Sequence, residues 1–513
     1  MVHAMRTYSF FLSDSRAELL TVEYSARFQI PGFQILGLAA PEIQEARERI
    51  ASAFQNEGFE FPKKKVTVNL APASVRKSGT GHDLAIALKI LSETVNAPWP
   101  ECALAWGELS LDGTIRSAGR IAHLIELLAD EGFRSSTPWI LLNPFDFQEL
   151  QRLLEWRKSA GMPNPEGMKV LRVPRLRDLP SLLASGENHL LMPPLLPLLP
   201  PATMKEALLP LSEFQERMVK LASIGRHHCL IMGPKGVGKS ASFDWFRTLA
   251  EAPPPAQAWE RALFQETRNE RAQFETPIRQ VHSQVKPSHL MGTYASSGFR
   301  AGELSLAHGG ILFADEFPEW PRDSKECLRE PLETEKIILT RVKGTLEMKC
   351  DVQIVASGNL CPCGGFPALL RTFGYQSKIK CRCNDGEVRN YLHRLSGPIL
   401  DRIDLVAVFG EAEKPNFDSK RPWLAIYDEV KRTRDFALSL FKCPPSKLGP
   451  SALEALLPKR RTIEALLNDL TSLRSRHKVI RVACSIQALE GCEELREEHL
   501  IESRSYRFMD QLW

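Results

Sequence analysis

An eight-residue motif near the middle of the chain reads Gly233-Pro234-Lys235-Gly236-Val237-Gly238-Lys239-Ser240. It fits the pattern G-x-x-x-x-G-K-[ST]. Its glycines allow a tight turn in which several backbone N–H groups point at one anion. Lys239 would then reach the β- and γ-phosphates of a nucleotide, and Ser240 would place its hydroxyl on Mg²⁺. The motif therefore predicts a phosphate-binding loop for ATP, to which all eight residues contribute.

The residues on either side of the loop predict the elements that it needs. Residues 228–232, His-Cys-Leu-Ile-Met, are typical of a short buried strand. Apolar residues at Phe243, Phe246 and Leu249 favour a helix after the loop, and residues 213–223 predict another helix before it. Because the motif is informative only between a strand and a helix, this context strengthens the prediction of an α/β nucleotide-binding core.

A second strand ends in two acids. Residues 310–314, Gly-Ile-Leu-Phe-Ala, are apolar and are followed by Asp315 and Glu316. Downstream of a phosphate-binding loop, this arrangement predicts that Asp315 holds the Mg²⁺ ion. Glu316 is then the predicted general base that polarises the attacking water.

Length and composition indicate a multidomain globular protein. The chain has 513 residues, which suggests about three domains. Its net charge is only +4, so any DNA contact must come from local basic patches. The sequence offers neither an apolar run long enough for a membrane span nor the pattern of a signal peptide. The eleven cysteines are odd in number and mostly scattered, so we expect a reducing, cytoplasmic location and no membrane partner.

The first 185 residues predict an α+β domain. Strand-like alternation at 20–24 and 66–70 flanks a helical pattern at 42–54. Residues 107–115 predict a hairpin with an Asp-Gly turn, and a helix at 122–131 and a strand at 139–142 follow. A linker rich in leucine and proline, residues 186–204, predicts the boundary with the nucleotide-binding core.

Three segments of this domain resemble a known family. They are Phe-Glu-Phe-Pro at 59–62, Val-Asn-Leu-Ala-Pro-Ala at 68–73 and His-Asp-Leu-Ala-Ile-Ala-Leu at 82–88. They are similar to the N-terminal domain of the magnesium chelatase-like AAA+ proteins of the ComM/YifB type. That domain resembles the proteolytic domain of Lon, a ribosomal S5 domain 2-like fold. Lon-type proteolysis needs a serine nucleophile with a lysine base, and the serine position falls near Gly81, so a scaffold or docking domain without catalytic serine is expected.

The resemblance extends to a hairpin ahead of the next strand. Residues 337–348 predict a β-hairpin, and the strand at 352–356 leads to Asn359. The resemblance implies that Asn359 is the sensor asparagine, which hydrogen-bonds the attacking water or the γ-phosphate. It also implies that Arg341 and Lys343, at the hairpin tip, reach DNA phosphates in the pore of a ring. The alternative is an ordinary solvated turn.

Two arginines are implied to act on the nucleotide. Residues 395–405 match the family's segment that carries the arginine finger, which makes Arg402 the group that acts on a neighbouring subunit's ATP. Arg481 aligns with the sensor-two arginine of a C-terminal helical lid, residues 416–513. The chain departs from the pattern at Cys484, where most relatives have a second arginine.

Four cysteines form two C-x-C pairs in the core's loop 361–383. The pairs are Cys361 with Cys363 and Cys381 with Cys383. Four thiolates can hold Zn²⁺ in a tetrahedral site, although structural zinc sites favour wider spacing within each pair. The alternatives are four reduced thiols or, less in keeping with a reducing compartment, a disulfide.

Taken together, these features predict a multidomain α/β ATPase. The expected order is the Lon-like domain at 1–185, the linker, an AAA+ core with a pre-sensor hairpin at 205–415, and the helical lid. The resemblance implies a homo-hexameric, ATP-driven DNA motor, a helicase for branch migration of recombination intermediates in natural transformation. The alternative is a chelatase-like or chaperone-like ATPase that remodels a protein partner. Intact Lys239, Glu316, Asn359 and Arg402 argue against a third possibility, a regulatory scaffold with weak ATPase activity.

Overall fold

A computed structural model describes most of the chain. The described residues are 5–13, 16–37, 40–73, 75, 77, 79–130, 138–191, 208–295, 298–341, 344–368, 370, 379–410, 423–458, 461–468, 470 and 472–507. They divide into two compact units. The first contains Met1–Pro201, Ala258–Phe274 and Thr293–Ala301, and the second contains the remaining segments. Most of the predicted linker lies outside the described residues, and the predicted domain boundaries stay predictions.

The N-terminal stretch of the first unit alternates strands and helices. Its elements are β1 (Arg6–Ser13), β2 (Arg16–Arg27), β3 (Gly32–Leu36), α1 (Pro41–Asn56), β4 (Lys65–Ala71), α2 (Asp83–Thr94), β5 (Cys102–Trp106), β6 (Glu108–Leu109), β7 (Ile115–Arg116), α3 (Ile121–Ala129), β8 (Trp139–Leu142), α4 (Pro144–Ser159), β9 (Lys169–Arg172) and α5 (Leu179–Ser185), with short 3₁₀ turns at Leu176–Asp178 and His189–Leu191.

Seven of these strands form one mixed sheet in the order β3-β4-β2-β1-β5-β8-β9. The β1/β2 and β2/β4 pairs are antiparallel, whereas β5, β8 and β9 run parallel to β1. The alternating residues of β4 place Val66, Val68 and Leu70 fully inside the core. The expected hairpin at 107–115 is present as the antiparallel pair β6/β7.

The position that aligns with the Lon serine admits no side chain. A Cβ atom at Gly81 would lie 2.4 Å from the ring of Trp106, which is itself 1% exposed. A serine at this position would therefore collide with the core. This contact supports the interpretation of the domain as a scaffold, which stays a proposal.

Residues 258–274 belong to the first unit although they follow the phosphate-binding loop in sequence. Trp259 is buried and stacks beside Trp156, with ring centroids 6.2 Å apart. The carboxylate of Glu266 accepts hydrogen bonds from the backbone N–H groups of Ala122 and His123, at 2.7 and 3.1 Å. These N–H groups lie at the start of α3 and have no partner within that helix, so the carboxylate completes the helix end.

The remainder of the chain supplies a parallel sheet and many helices. Its elements are α6 (Glu213–Gly225), β10 (Cys229–Met232), α7 (Lys239–Leu249), α8 (Pro255–Thr267), β11 (Ile278–Val281), α9 (Pro287–Met291), β12 (Gly292–Ala295), β13 (Gly298–Ala301), α10 (Glu303–Leu306), β14 (Ile311–Ala314), α11 (Arg322–Glu326), α12 (Arg329–Thr334), β15 (Lys336–Arg341), β16 (Gly344–Lys349), β17 (Gln353–Gly358), α13 (Asp385–Leu392), α14 (Gly397–Leu400), β18 (Leu405–Val408), α15 (Trp423–Phe441), α16 (Pro450–Leu456), α17 (Arg461–Asn468), α18 (Leu473–Leu489) and α19 (Glu497–Ser505), with 3₁₀ turns at Phe317–Glu319 and Pro445–Lys447.

The sheet of the second unit has five parallel strands in the order β11-β14-β17-β10-β18. All residues of β10, β14, β17 and β18 are buried, as expected for strands covered on both faces. One apolar cluster joins these strands to α6, α7 and the C-terminal helices α15–α19. The mixed α/β, multidomain class predicted from the sequence is confirmed.

Candidate nucleotide-binding site

The predicted phosphate-binding loop connects the carboxyl end of β10 to the start of α7. Gly238 precedes the helix with φ +88°, a left-handed conformation that favours glycine. Ser240, in the first turn of α7, is exposed. The N-terminal N–H groups of a helix and its dipole attract an anion, so the start of α7 favours a bound phosphate.

The Lys239 ammonium lies inside the loop. Its Nζ donates to the backbone oxygens of Gly233 and Pro234, at 2.7 and 2.8 Å. It also lies 3.3 Å from Oδ1 of Asn359, which follows the end of β17. Burial lowers the pKa of the Lys239 amine to about 8, and a bound polyphosphate would favour the charged form. The structure thus brings the predicted lysine and the predicted sensor asparagine together.

Asp315 and Glu316 follow the end of β14, on the same edge of the sheet. Oδ1 of Asp315 accepts hydrogen bonds from the Glu316 backbone N–H, at 3.0 Å, and from the hydroxyl of Ser357. Glu316 has φ +51° and ψ 38°, a left-handed conformation that costs energy for a glutamate. Its side chain is exposed. The two acids are therefore held with distinct environments, one fixed by hydrogen bonds and the other open to solvent.

Sequence reasoning missed two partners that shape this site. Ser357, which fixes Asp315, lies at the end of a strand whose pattern gave no polar signal. Gln215 caps α6 in a capping box with Ser212, and its Nε2 donates to Val237 O in the loop at 3.0 Å. The S-x-x-Q spacing at 212–215 was visible in the sequence and signals a helix start, but its contact with the loop depends on tertiary packing.

Arg402 lies near the amino ends of the strands of the same sheet, whereas the phosphate-binding loop lies at their carboxyl ends. It precedes β18 by three residues, whereas the loop follows β10, and Cys229 pairs with Leu405 in parallel register. The two ends of β10 are separated by the four residues of the strand, which is about 13 Å. Arg402 donates to the backbone oxygens of Arg329 and Pro398, at 2.8 and 2.6 Å, and pairs with Glu333.

A charged pocket of about 430 Å³ surrounds Arg402. Its basic side chains are Arg226, Arg402, Lys447, Arg474, Lys478 and Arg481. Its acidic side chains are Glu333, Glu335, Asp351, Asp401 and Asp404. Residues 228 and 351–353, beside the amino ends of β10 and β17, also line it, so the pocket belongs to the edge away from the phosphate-binding loop.

Arg481 shares this pocket and projects from α18. Its guanidinium donates twice to Leu448 O, at 3.1 and 2.8 Å. The nearby Lys478 is buried and donates to the carbonyl of Ile403 at 2.9 Å, so it holds α18 against the segment that carries Arg402. Cys484 is fully buried, and burial raises its pKa to about 12. The cysteine therefore packs in the core.

The predicted pre-sensor hairpin is present. Strands β15 and β16 pair antiparallel from Lys336↔Lys349 to Arg341↔Gly344. Arg341 ends β15, but the tip residues 342 and 343, with Lys343 among them, lie outside the described residues. The backbone of the hairpin matches the prediction, and DNA contact by Arg341 and Lys343 stays a proposal.

Comparison with known proteins places these features in one family. Residues 212–416 match the model described as "Magnesium chelatase, subunit ChlI", and residues 22–136 match "Subunit ChlI of Mg-chelatase". The chain is 29% identical to the uncharacterized protein YifB of Salmonella typhimurium, over 96% of this chain and 95% of YifB. It is 28% identical to "Competence protein ComM" of Haemophilus influenzae, over 97% of this chain and 96% of ComM.

The chain belongs to the magnesium chelatase-like ComM/YifB family. At the family level it is an AAA+ ATPase, for which ATP and Mg²⁺ are the expected ligands. The residues at the loop fit both ligands, since Lys239 and the N-terminus of α7 suit phosphates, and Ser240 with Asp315 offers oxygen ligands for Mg²⁺. Among the described residues, no helix combines the length and apolar character needed to cross a membrane.

The four cysteines of this ComM/YifB-family chain lie together. Their sulfur atoms are all within 4.8 Å of one another. Cys361 is buried, Cys363 is exposed, and Cys381 and Cys383 are half-buried. A hydrogen bond from the Arg382 N–H lowers the pKa of the Cys363 thiol to about 6, whereas burial raises that of Cys361. The structure thus brings the two predicted pairs into one cluster.

Proposed function

We propose that the protein is a ring-forming ATPase that uses ATP hydrolysis to move DNA, with helicase or branch-migration activity on recombination intermediates. The proposal combines three features: the predicted phosphate-binding loop, arginines that lie away from it, and a hairpin ahead of the strand that leads to Asn359. A homo-hexamer is the assembly that the family resemblance implies.

The placement of Arg402 is the observation that supports assembly into a ring. The phosphate-binding loop follows β10, a strand about 13 Å long, whereas Arg402 precedes the parallel neighbour β18, so Arg402 lies beyond the far ends of the strands from its own loop. Arg481 lies in the same pocket. A nucleotide held by a second copy of the chain would therefore be the one that these arginines reach, with Arg402 exchanging its pair with Glu333 for the phosphates of that nucleotide. A head-to-tail contact of this kind generates a ring when its rotation closes.

Within such a site, each residue has a distinct task. Lys239 and the N–H groups of the loop would neutralise and orient the phosphates. Mg²⁺, held by Ser240 and Asp315, would supply charge stabilisation for the transferring phosphoryl group. Glu316 would accept a proton from the attacking water, which Asn359 would help to position. Arg402 of the adjacent copy would stabilise the charge that develops in the transition state.

Support for DNA as the substrate comes from the hairpin and from one relative. The strands β15 and β16 form a separate two-stranded sheet, so the described part of the hairpin is not paired with the core sheet. Arg341 and Lys343 would give the hairpin tip the positive charge that backbone phosphates attract. The relative named "Competence protein ComM" matches nearly the whole length of the chain.

ATPase rate, measured with and without DNA, tests the proposal. We expect single-stranded or four-way-junction DNA to raise the rate several-fold in the wild type. Glu316→Gln should abolish hydrolysis while leaving ATP binding intact, because only the base is lost. Glu319→Gln is the matched control, since Glu319 is a neighbouring exposed acid whose surface pair with Arg394 contributes little.

The alternative function predicts a different result. A chelatase-like or chaperone-like ATPase that remodels a protein would hydrolyse ATP at the same rate with every DNA tested. That outcome, in a protein that still forms rings and loses activity in Glu316→Gln, would refute the DNA motor and favour a protein substrate.

A further inference from the structure

We propose that Cys361, Cys363, Cys381 and Cys383 bind one zinc-type divalent metal ion, and that the metal-bound loop braces the phosphate-binding loop. The inference rests on nucleotide binding at that loop, and it is independent of DNA.

The distances between the sulfur atoms fit a single ion. Cys361 Sγ lies 3.3 Å from Cys363 Sγ and 3.3 Å from Cys381 Sγ, and Cys363 Sγ lies 3.6 Å from Cys381 Sγ. A tetrahedron with metal–sulfur bonds of about 2.3 Å has edges of about 3.8 Å. A disulfide would need sulfurs at about 2.05 Å. An iron–sulfur cluster, with several metal atoms between its thiolates, would push the sulfurs farther apart than they lie.

The surrounding backbone is arranged for thiolates. The N–H groups of Arg382 and Cys383 donate to the sulfurs of Cys363 and Cys381, at 3.5 and 3.3 Å. The two C-x-C segments are also held together by backbone, because the N–H of Phe366 donates to Ile379 O at 3.0 Å. Partners of this kind orient metal ligands and stabilise their charge. Most zinc sites have two or more residues between the paired cysteines. Here the close packing of the two C-x-C segments sets the positions of the sulfur atoms instead.

This cluster lies directly against the phosphate-binding loop. The backbone N–H of Lys235 donates to Gly364 O at 3.1 Å, and the N–H of Gly364 donates to Cys361 O at 3.1 Å. Gly364 has φ +74°, and a Cβ there would lie 2.7 Å from Cε of Lys235. On the other side, Asn359, which contacts Lys239, is two residues before Cys361. The loop that carries the four cysteines thus borders the predicted nucleotide site in two places, at the backbone of the phosphate-binding loop and at Asn359.

Metal content and nucleotide affinity, measured on the full chain without DNA, test the two parts separately. We expect about one zinc per chain in protein purified under reducing conditions. Cobalt-substituted protein should show thiolate-to-metal charge-transfer absorption and the visible bands of a tetrahedral site. Stripping the metal with a chelator should weaken binding of methylanthraniloyl-ATP about tenfold, the worth of one backbone hydrogen bond, and adding zinc back should restore it.

Cys363→Ser should reproduce the loss of metal and the weaker nucleotide binding, and Cys443→Ser is the matched control. Cys443 is half-buried and lies outside the cluster, so its replacement should change neither quantity. Wild-type protein that takes up neither zinc nor cobalt would overturn the metal site. Wild-type protein that loses its metal but binds the nucleotide unchanged would overturn the brace. Neither result depends on a variant that folds, and neither bears on DNA stimulation.

Discussion

Arg402 should act only on the nucleotide of an adjacent copy, and mixing two inactive variants tests this directly. Lys239→Ala removes the phosphate ligand but leaves Arg402 intact. Arg402→Ala leaves a complete phosphate-binding loop but removes the arginine. Because the two groups lie at opposite ends of parallel strands that are about 13 Å long, neither variant should repair its own site.

The expected magnitudes follow from this geometry. Arginine fingers contribute about 10³–10⁵ in rate, so Arg402→Ala alone should hydrolyse ATP at least about 10³-fold more slowly than the wild type. In a ring assembled at random from equal amounts of the two variants, roughly a quarter of the interfaces combine an intact loop with an intact arginine. The mixture should therefore recover roughly a quarter of the wild-type rate, when interfaces act independently.

The assay is steady-state ATPase after co-refolding or subunit exchange, with native mass spectrometry to verify mixed rings. Arg402→Lys is the control, because lysine keeps the charge but loses the planar fork, and it should restore only a small part of the activity. Arg402→Ala also removes hydrogen bonds to Arg329 and Pro398, so its melting temperature must be measured alongside. Full activity of Arg402→Ala alone, or mixed rings that stay inactive, would refute action across the interface.

Three further predictions concern the loop and its partners. Burial lowers the pKa of Lys239 to about 8, and a bound triphosphate favours the charged form of its amine. ATP binding should therefore take up a proton at about pH 9, and the affinity for ATP should fall as the pH rises above 8. Calorimetry in buffers of different ionisation heat measures this uptake, and finding none would contradict the prediction. Ser357→Ala should free the Asp315 carboxylate and lower kcat about tenfold or more at limiting Mg²⁺. Ser357→Thr keeps a hydroxyl and should lose less activity. Equal values of kcat for both variants and the wild type would show that Ser357 does not position Asp315. Gln215→Ala should lower the free energy of unfolding by about 1 kcal/mol, because Gln215 caps α6, and should raise the Kd for ATP, because Gln215 also holds Val237. A lower free energy of unfolding with an unchanged Kd would show that the contact with the loop is unimportant.

The phosphate-binding loop and its neighbours were predictable because their signals are local. The glycines, Lys239 and Ser240 are fixed by spacing within one short segment, and the apolar strand before Asp315 is equally compact. The helix and strand positions followed from periodicity, and the observed bounds differ from the predicted ones by a few residues at most. The hairpin β15/β16 was predicted for the same reason.

Features that depend on strand order were not predictable. The sequence places Arg402 and Arg481 in separate segments, and only the arrangement of β17, β10 and β18 shows that both line one pocket away from the loop. The hydrogen bond between Lys235 and Gly364 likewise joins segments far apart in sequence. Residues 258–274 follow the phosphate-binding loop yet pack in the first unit, through Trp259 and Glu266, which no local pattern indicates.

The most direct test of the proposed activity is branch migration of a fluorescently labelled four-way junction in the presence of ATP and Mg²⁺. We predict that the wild type converts the junction into duplex products. Glu316→Gln should bind the junction without converting it, and replacing both Arg341 and Lys343 with alanine should reduce conversion while ATP binding persists. Intact rings that hydrolyse ATP but leave every junction unchanged, at a rate indifferent to DNA, would contradict the proposal that this ATPase is a DNA motor.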